Sequence, residues 1–171
     1  MDTRQDQALA VPRLGRYEID PEGSTVRFTT RHLFGLLPVH GTFALRGGTL
    51  DVAEPLARSG VRVEVDAASI DSGSAQRDGA VRSARFLDTS RHPVMVFVSE
   101  GPAGSTLRGT LTVCGVTRPV SLAIERSTLS QDGFTVLATT RIDRTAFGVT
   151  AARGMAGRRL ALSLEVSWVR R

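Results

Sequence analysis

Apolar and polar residues alternate along most of this chain. In "STVRFTT", Val26 and Phe28 fall on one face and Arg27 and Thr29 on the other. "VRVEVD" sets Val61, Val63 and Val65 against Arg62, Glu64 and Asp66, and "LRGTLTV" sets Leu107, Leu111 and Val113 against Arg108, Thr110 and Thr112. "VSLAIE" and "LALSLEVSW" repeat the pattern with Val120, Leu122 and Ile124, and with Leu160, Leu162, Leu164, Val166 and Trp168. A two-residue period with one apolar face predicts strands buried on one side. "VMVFVS" is apolar on both faces, and "FTVLATTRIDR" carries Leu137 on its polar side.

Turn residues divide these runs: Asp20-Pro21-Glu22-Gly23, Gly47-Gly48, Gly101-Pro102-Ala103-Gly104, Cys114-Gly115 and Asp132-Gly133. With "VHGTFALR" and "TLDVA" included, about eight or nine strands are predicted, joined by short antiparallel connections. No long helical period alternates with them, which argues against a parallel sheet. The pattern fits a sandwich or a closed barrel. Small residues on the apolar face, Gly41, Gly109, Ala138 and Thr140, point to a cavity rather than a filled interior.

One stretch breaks the pattern. "SAQRDGAVRSARFLDTSRHP", residues 74–93, is charged and does not alternate. Asp71-Ser72-Gly73-Ser74 offers helix caps, Asp78 and Arg82 stand four apart with the acid first, and His92-Pro93 ends the segment. A short helical insertion around residues 74–90 follows, laid over one end of the sheet with Val81, Ala84 and Phe86 inward.

In this order and spacing the chain resembles the YceI-like family of lipocalin-like, polyisoprenoid-binding barrels. The likeness runs from Tyr17 to Trp168 and rests on "YEIDPEGSTVRFTTRHLFG", "VHGTF", "SGSAQRDGAVRSARFLDTSRHPVMVFVS", "GTLTVCGVTRPVSLAI" and "IDRTAFGV". It implies an all-β fold, an antiparallel eight-stranded barrel around a long apolar tunnel. It also implies an isoprenoid or quinone-type lipid as ligand, in a carrier or sequestering protein without cofactor, and a homodimer, since similar proteins often pair. The family's Arg-Asp-x-His-Leu-Arg/Lys-Ser reads here Arg77-Asp78-Gly79-Ala80-Val81-Arg82-Ser83, so a contact by that histidine is absent.

On this likeness Val26, Phe28, Phe43, Phe86, Met95 and Phe97 line the tunnel, the last two turned inward from the ambiguous strand. His32 and His92 stand near strand ends, either as structural histidines or as donors to a head group. Arg144 shares the phase of Ala138, Thr140 and Ile142 and points inward, where an arginine needs a partner. Asp78 is the expected one, an anionic head group the other.

Composition narrows the alternatives. All 22 basic residues are arginine, against 17 acids, so lysine-dependent phosphate loops and Schiff bases are excluded. Residues 121–171 hold eight arginines against four acids. With one Trp and one Tyr no base-stacking platform exists, so a nucleic-acid partner is not expected. Cys114 is alone, which excludes an intrachain disulfide and fits a reducing compartment. The first residues carry acids and too short an apolar run for a signal peptide. A cytoplasmic protein without stable membrane insertion is the expectation, with residues 1–15 a poorly ordered lead-in and 16–171 a single domain. His32, His40 and His92 lack a metal-ligand spacing. As an enzyme the chain would draw on Asp78, His32, His92 and Ser83, but it has no nucleophile elbow or close carboxylate pair. A stress-related structural partner is the remaining alternative.

Overall fold

In a computed structural model, which describes residues 9–33 and 35–171, the alternating runs become nine antiparallel strands. They are β1 (Gly15–His32), β2 (Leu37–Phe43), β3 (Leu45–Val52), β4 (Gly60–Asp66), β5 (Val94–Ala103), β6 (Thr106–Val113), β7 (Val116–Leu129), β8 (Gly133–Asp143) and β9 (Arg159–Arg170). Each pairs with its sequence neighbour from β3 to β9, and β9 returns to pair with β1. The sheet therefore closes into a barrel. β2 and β3 lie end to end along the same edge of β1, pairing with Val26–His32 and with Gly15–Glu18. They form one strand bent at Ala44, so the barrel has eight walls.

Inward positions are the predicted apolar ones, and outward positions carry the arginines, threonines and acids. A two-residue turn joins β6 to β7 through Cys114 and Gly115, at φ 52° and 75°, with Val113 paired to Val116. Two positive φ values in a two-residue loop suit the right-handed twist of a hairpin.

The sequence Asp20-Pro21-Glu22-Gly23 does not divide two strands, as its turn chemistry suggests. It is a bulge inside β1, whose two halves pair with β9 on either side of a register shift between Asp20 and Thr25. Ser24 Oγ donates to the Asp20 carbonyl and accepts from the Ser167 N–H, which holds the loop-out flat against the neighbouring strand. The bend lets one 18-residue strand follow the wall from end to end.

Over one end lies α1 (Ala75–Arg82), shorter than the predicted segment; residues 83–92 are turns. Ser74 caps the helix by accepting from Arg77 N–H. Asp78 and Arg82 do not pair with each other. Asp78 is buried and accepts from the Ser72 N–H and hydroxyl, while Arg82 donates to the carbonyls of Ala68 and Ile70 at 2.8 and 2.9 Å. Both anchor the helix to the strand-ending segment before it. Val81 packs with Phe28, Val39 and Ile70, and Phe86 with Phe147 and Val149, whereas Ala84 faces solvent. The other end is floored by Tyr17, Phe134 and Trp168. Tyr17 and Phe134 meet edge to face at 5.2 Å, and Phe134 stacks on Trp168.

Of the expected lead-in, residues 1–8 lie outside the described residues, and 9–14 run into β1 along this second end. There the Ala10 carbonyl accepts from Ser127 Oγ at 2.8 Å, and the Arg13 carbonyl from the Tyr17 hydroxyl.

The small residues Gly41 and Gly109 are not open space. The Phe28 ring lies across Gly41, its cross-strand partner, and the Phe97 ring lies across Gly109. A methyl group at Gly41 would meet Phe28 Cε1 at 2.6 Å and the Asp71 carbonyl at 2.9 Å. Gly41→Ala is therefore expected to lower stability by about 1–3 kcal/mol, the usual cost of overpacking, measured by urea denaturation.

Candidate functional site

The barrel encloses a cavity of about 890 Å³. Its wall takes in both ends of β8, Phe134 to Ile142, and of β9, Leu160 to Trp168. The eight rises between the ends of each nine-residue stretch span about 27 Å at about 3.4 Å per residue, or about 20 Å along the axis at the usual tilt. The space is thus a tunnel running the length of the barrel.

Alternation makes its middle almost wholly apolar. Val63, Phe97, Leu111, Leu122, Val136 and Leu164 face it from successive strands. Leu111, Val136 and Leu164 are only half-buried although they point inward, because no side chain from the opposite wall reaches them. Polar lining groups gather at the α1 end, where Thr30, His32, Ser72, Arg77 and Arg144 reach the cavity. Ser59, Ser105 and Ser127 mark the second end, together with Leu9, Ala10, Val11 and Pro12.

Of the residues singled out from the sequence, Val26, Phe28, His32, Phe43, Phe86, Met95, Phe97 and Arg144 all line this space. His92 does not. It precedes β5 with its ring beside the Gly115 turn. Asp78 is tied to Ser72, and Ser83 donates to the Ala80 carbonyl at the exposed end of the helix, so the four candidate acid–base groups are not gathered into one site. Among the described residues no group of three His, Cys, Asp or Glu side chains is placed to hold a metal ion.

Arg144 points inward as its phase predicts, but Asp78 is not its partner. Its guanidinium donates to three backbone carbonyls, those of Gly157 at 2.7 Å, Val149 at 2.9 Å and Ala156 at 3.2 Å, and lies over the Phe86 ring at 5.6 Å. The glycine-rich loop after the Arg144–Phe147 turn folds back and presents these oxygens, so the charge is met by dipoles rather than by a carboxylate. Burial still draws the group below its ordinary value, and the Arg153 charge acts in the same direction while Asp143 opposes it. The neighbouring Asp143 carboxyl is held low by the Thr145 hydroxyl and N–H and by Arg158.

The sequence reading missed the contribution of residues 9–12 to the wall. The apolar run "ALAVP" is the signal that could have placed them. Cys114, at the hairpin turn, points its thiol at the Leu87 carbonyl, 3.2 Å away. Burial and the Asp88 charge push this thiol above its ordinary value.

A family model described as the YceI-like domain matches residues 17–168. The chain belongs to the YceI-like family. A UPF0312 protein of Shewanella baltica is 34% identical, covering 91% of this chain and 87% of its own length. A UPF0312 protein of Azotobacter vinelandii is 40% identical over 116 residues, and Protein YceI of Escherichia coli 38% over 114. In both of these the match spans 59% of the relative. Among solved structures, Burkholderia cenocepacia BcnA superposes with a TM-score of 0.74 at 20% identity, covering 87% of this chain and 98% of that one. A polyisoprenoid binding domain from Saccharophagus degradans gives 0.69 at 15% identity, covering 93% and 100%. These structural likenesses confirm the barrel. The interior that the barrel encloses is an elongated, mostly apolar cavity.

If Arg144 holds the loop rather than the helix, Arg144→Met should speed amide exchange at residues 148–157 by about tenfold or more, since three charge-assisted bonds are lost. Exchange in 75–82 should change little. Hydrogen exchange read by mass spectrometry separates the two segments.

Proposed function

We propose that this barrel binds a long isoprenoid lipid, a polyprenyl chain or a quinone tail, and acts as its carrier or sequestering protein rather than as an enzyme. The observation that carries the reading is the shape and lining of the tunnel: about 890 Å³, elongated, apolar through its middle and polar at its ends. Volumes of about 300–1,000 Å³ are usual for small-molecule sites, and the axial length favours a chain over a compact ligand. The likeness to the polyisoprenoid binding domain of Saccharophagus degradans supports the same class of ligand.

Energetics point the same way. An apolar void costs about 24 cal/mol per Å³ when left unfilled. Water makes poor contact with such walls, so a hydrocarbon chain is the occupant that satisfies them. Burial drives binding at about 25 cal/mol per Å², less the cost of ordering the chain.

Organic-solvent extraction of the purified protein followed by mass spectrometry tests this directly. A near-stoichiometric isoprenoid is expected. Ala138→Trp places a large ring on the lumen-facing wall, between Ile124 and Leu164 on the flanking strands. It should cut the recovered lipid by about tenfold, since the methylenes displaced are worth about 0.8 kcal/mol each. Recovery of no lipid from the natural protein, before and after incubation with polyprenols and quinones, would overturn the reading. Release of a chemically altered lipid would move it to an enzyme.

A further inference from the structure

The end of the barrel that carries the polar lining also carries an apolar patch on its outside. Leu36 is 77% exposed at the tip between β1 and β2, with Leu37 beside it at 46%. Met155, 49% exposed, stands next to them, because the Leu33 N–H donates to the Met155 carbonyl at 2.8 Å and pins the tip to the glycine-rich loop. Met155 also belongs to the cavity wall. The patch and the tunnel therefore share a residue.

The two segments that form the patch carry charge of one sign, while the α1 insertion at the same end adds Asp71 and Asp88 beside its own arginines. Arg31, Arg153, Arg158 and Arg159 are exposed in the two segments that form it. Neither 29–50 nor 144–164 contains an Asp or Glu, and Asp143, just before the second segment, reaches across to Arg158 alone at 2.8 Å. The opposite end also exposes apolar residues, Val11, Leu14 and Leu129, but its chain segments include Glu18, Asp51, Glu54 and Asp132. Exposed apolar residues on segments whose only charges are arginines match an anionic membrane surface: the arginines meet lipid phosphates and the leucines enter the acyl boundary. A stable protein interface takes about 20–30 residues a side, and Leu36, Leu37 and Met155 are far fewer.

We propose that the Leu36–Leu37 tip and the Met155 loop dock peripherally on an anionic phospholipid bilayer, placing the tunnel's polar end against the membrane for lipid exchange. The exchange role rests on the tunnel-binding reading above; the docking does not.

Sedimentation with sucrose-loaded vesicles tests it. Wild-type protein should pellet with phosphatidylcholine vesicles containing phosphatidylglycerol, not with pure phosphatidylcholine, and binding should weaken at high salt. L36S/L37S should lower partitioning by about tenfold. R153Q/R159Q should lower it by about fivefold for each arginine removed. Leu129→Ser, at the far end, should pellet like wild type. None of the substituted leucines or arginines touches the tunnel, so extractable isoprenoid, measured in the same preparations without vesicles, should stay at the wild-type level. Failure of wild type to pellet with anionic vesicles, equal pelleting with neutral ones, or unchanged pelleting of L36S/L37S would overturn the proposal. So would a wild-type dimer that L36S/L37S converts to monomer without any vesicle binding, which would assign the patch to a second copy. Absence of extractable lipid with intact vesicle binding would overturn the tunnel reading alone.

Discussion

The pairing of β1 with β9 is the constraint on which the rest depends. Nine register pairs join them, in two sets on either side of the bulge at residues 21–24. Without that closure the sheet would have two free edges and its apolar face would need a second layer to cover it. With it, the same face curls around a space it cannot fill. Eight walls give a radius at which inward side chains either meet in the middle or leave room for one ligand. Here the rings of Phe134 and Trp168 meet near one end, while Leu111, Val136 and Leu164 further along leave the tunnel open. The bulge matters because a continuous 18-residue strand would otherwise have to run straight past the curvature of its partner.

Local periodicity made most of this legible. Every inward residue named from alternation in β4, β6, β7 and β9 lines the cavity, because a strand with one apolar face has only one way to sit in a closed sheet. Where alternation was silent, the reading depended on other chemistry and fared unevenly. Asp20-Pro21-Glu22-Gly23 has the residues of a turn, but a bulge uses the same residues, and only pairing with a distant strand separates the two. Asp78 and Arg82 sit at a spacing that suits a helix pair, yet each has a better-placed partner among the backbone groups of 68–72. Arg144 needed an inward partner, and a sequence cannot display a carbonyl as it displays a carboxylate. The family likeness turned Met95 and Phe97 inward, which alternation left open, and His92, read either as a structural histidine or as a head-group donor, lies off the cavity wall.

The glycines show why small residues on an inner face are an ambiguous sign of hollowness. Gly41 and Gly109 do not widen the tunnel; each accommodates a phenylalanine ring folded flat onto the strand. Laying Phe28 and Phe97 along the wall, instead of projecting them across the axis, keeps their apolar area in contact with protein while leaving the lumen free. Aromatic rings over strand glycines thus serve stability and capacity together.

The two ends of the tunnel are chemically unlike, and this asymmetry follows from how each is closed. The end near Tyr17 is floored by aromatic packing and crossed by residues 9–12, where the Ser127 hydroxyl on β7 is already spent on the Ala10 carbonyl. The α1 end is closed by segments that carry charge: the helix through Arg77, the glycine-rich loop through Arg144. Arg144 spends its guanidinium on three carbonyls of that loop, so it organises the rim while still facing the lumen. On the reading proposed here, an isoprenoid entering the barrel would meet only uncharged serine hydroxyls for a polar head at the second end, and the charged donors Arg77 and Arg144 at the rim. Desolvating even one uncompensated polar group costs about 1–3 kcal/mol. That difference, about tenfold in population for each 1.4 kcal/mol, is enough to orient a chain whose hydrocarbon contacts are otherwise much the same in both directions. Orientation is then a property of the segments that interrupt the strand pattern, and capacity a property of the strands themselves.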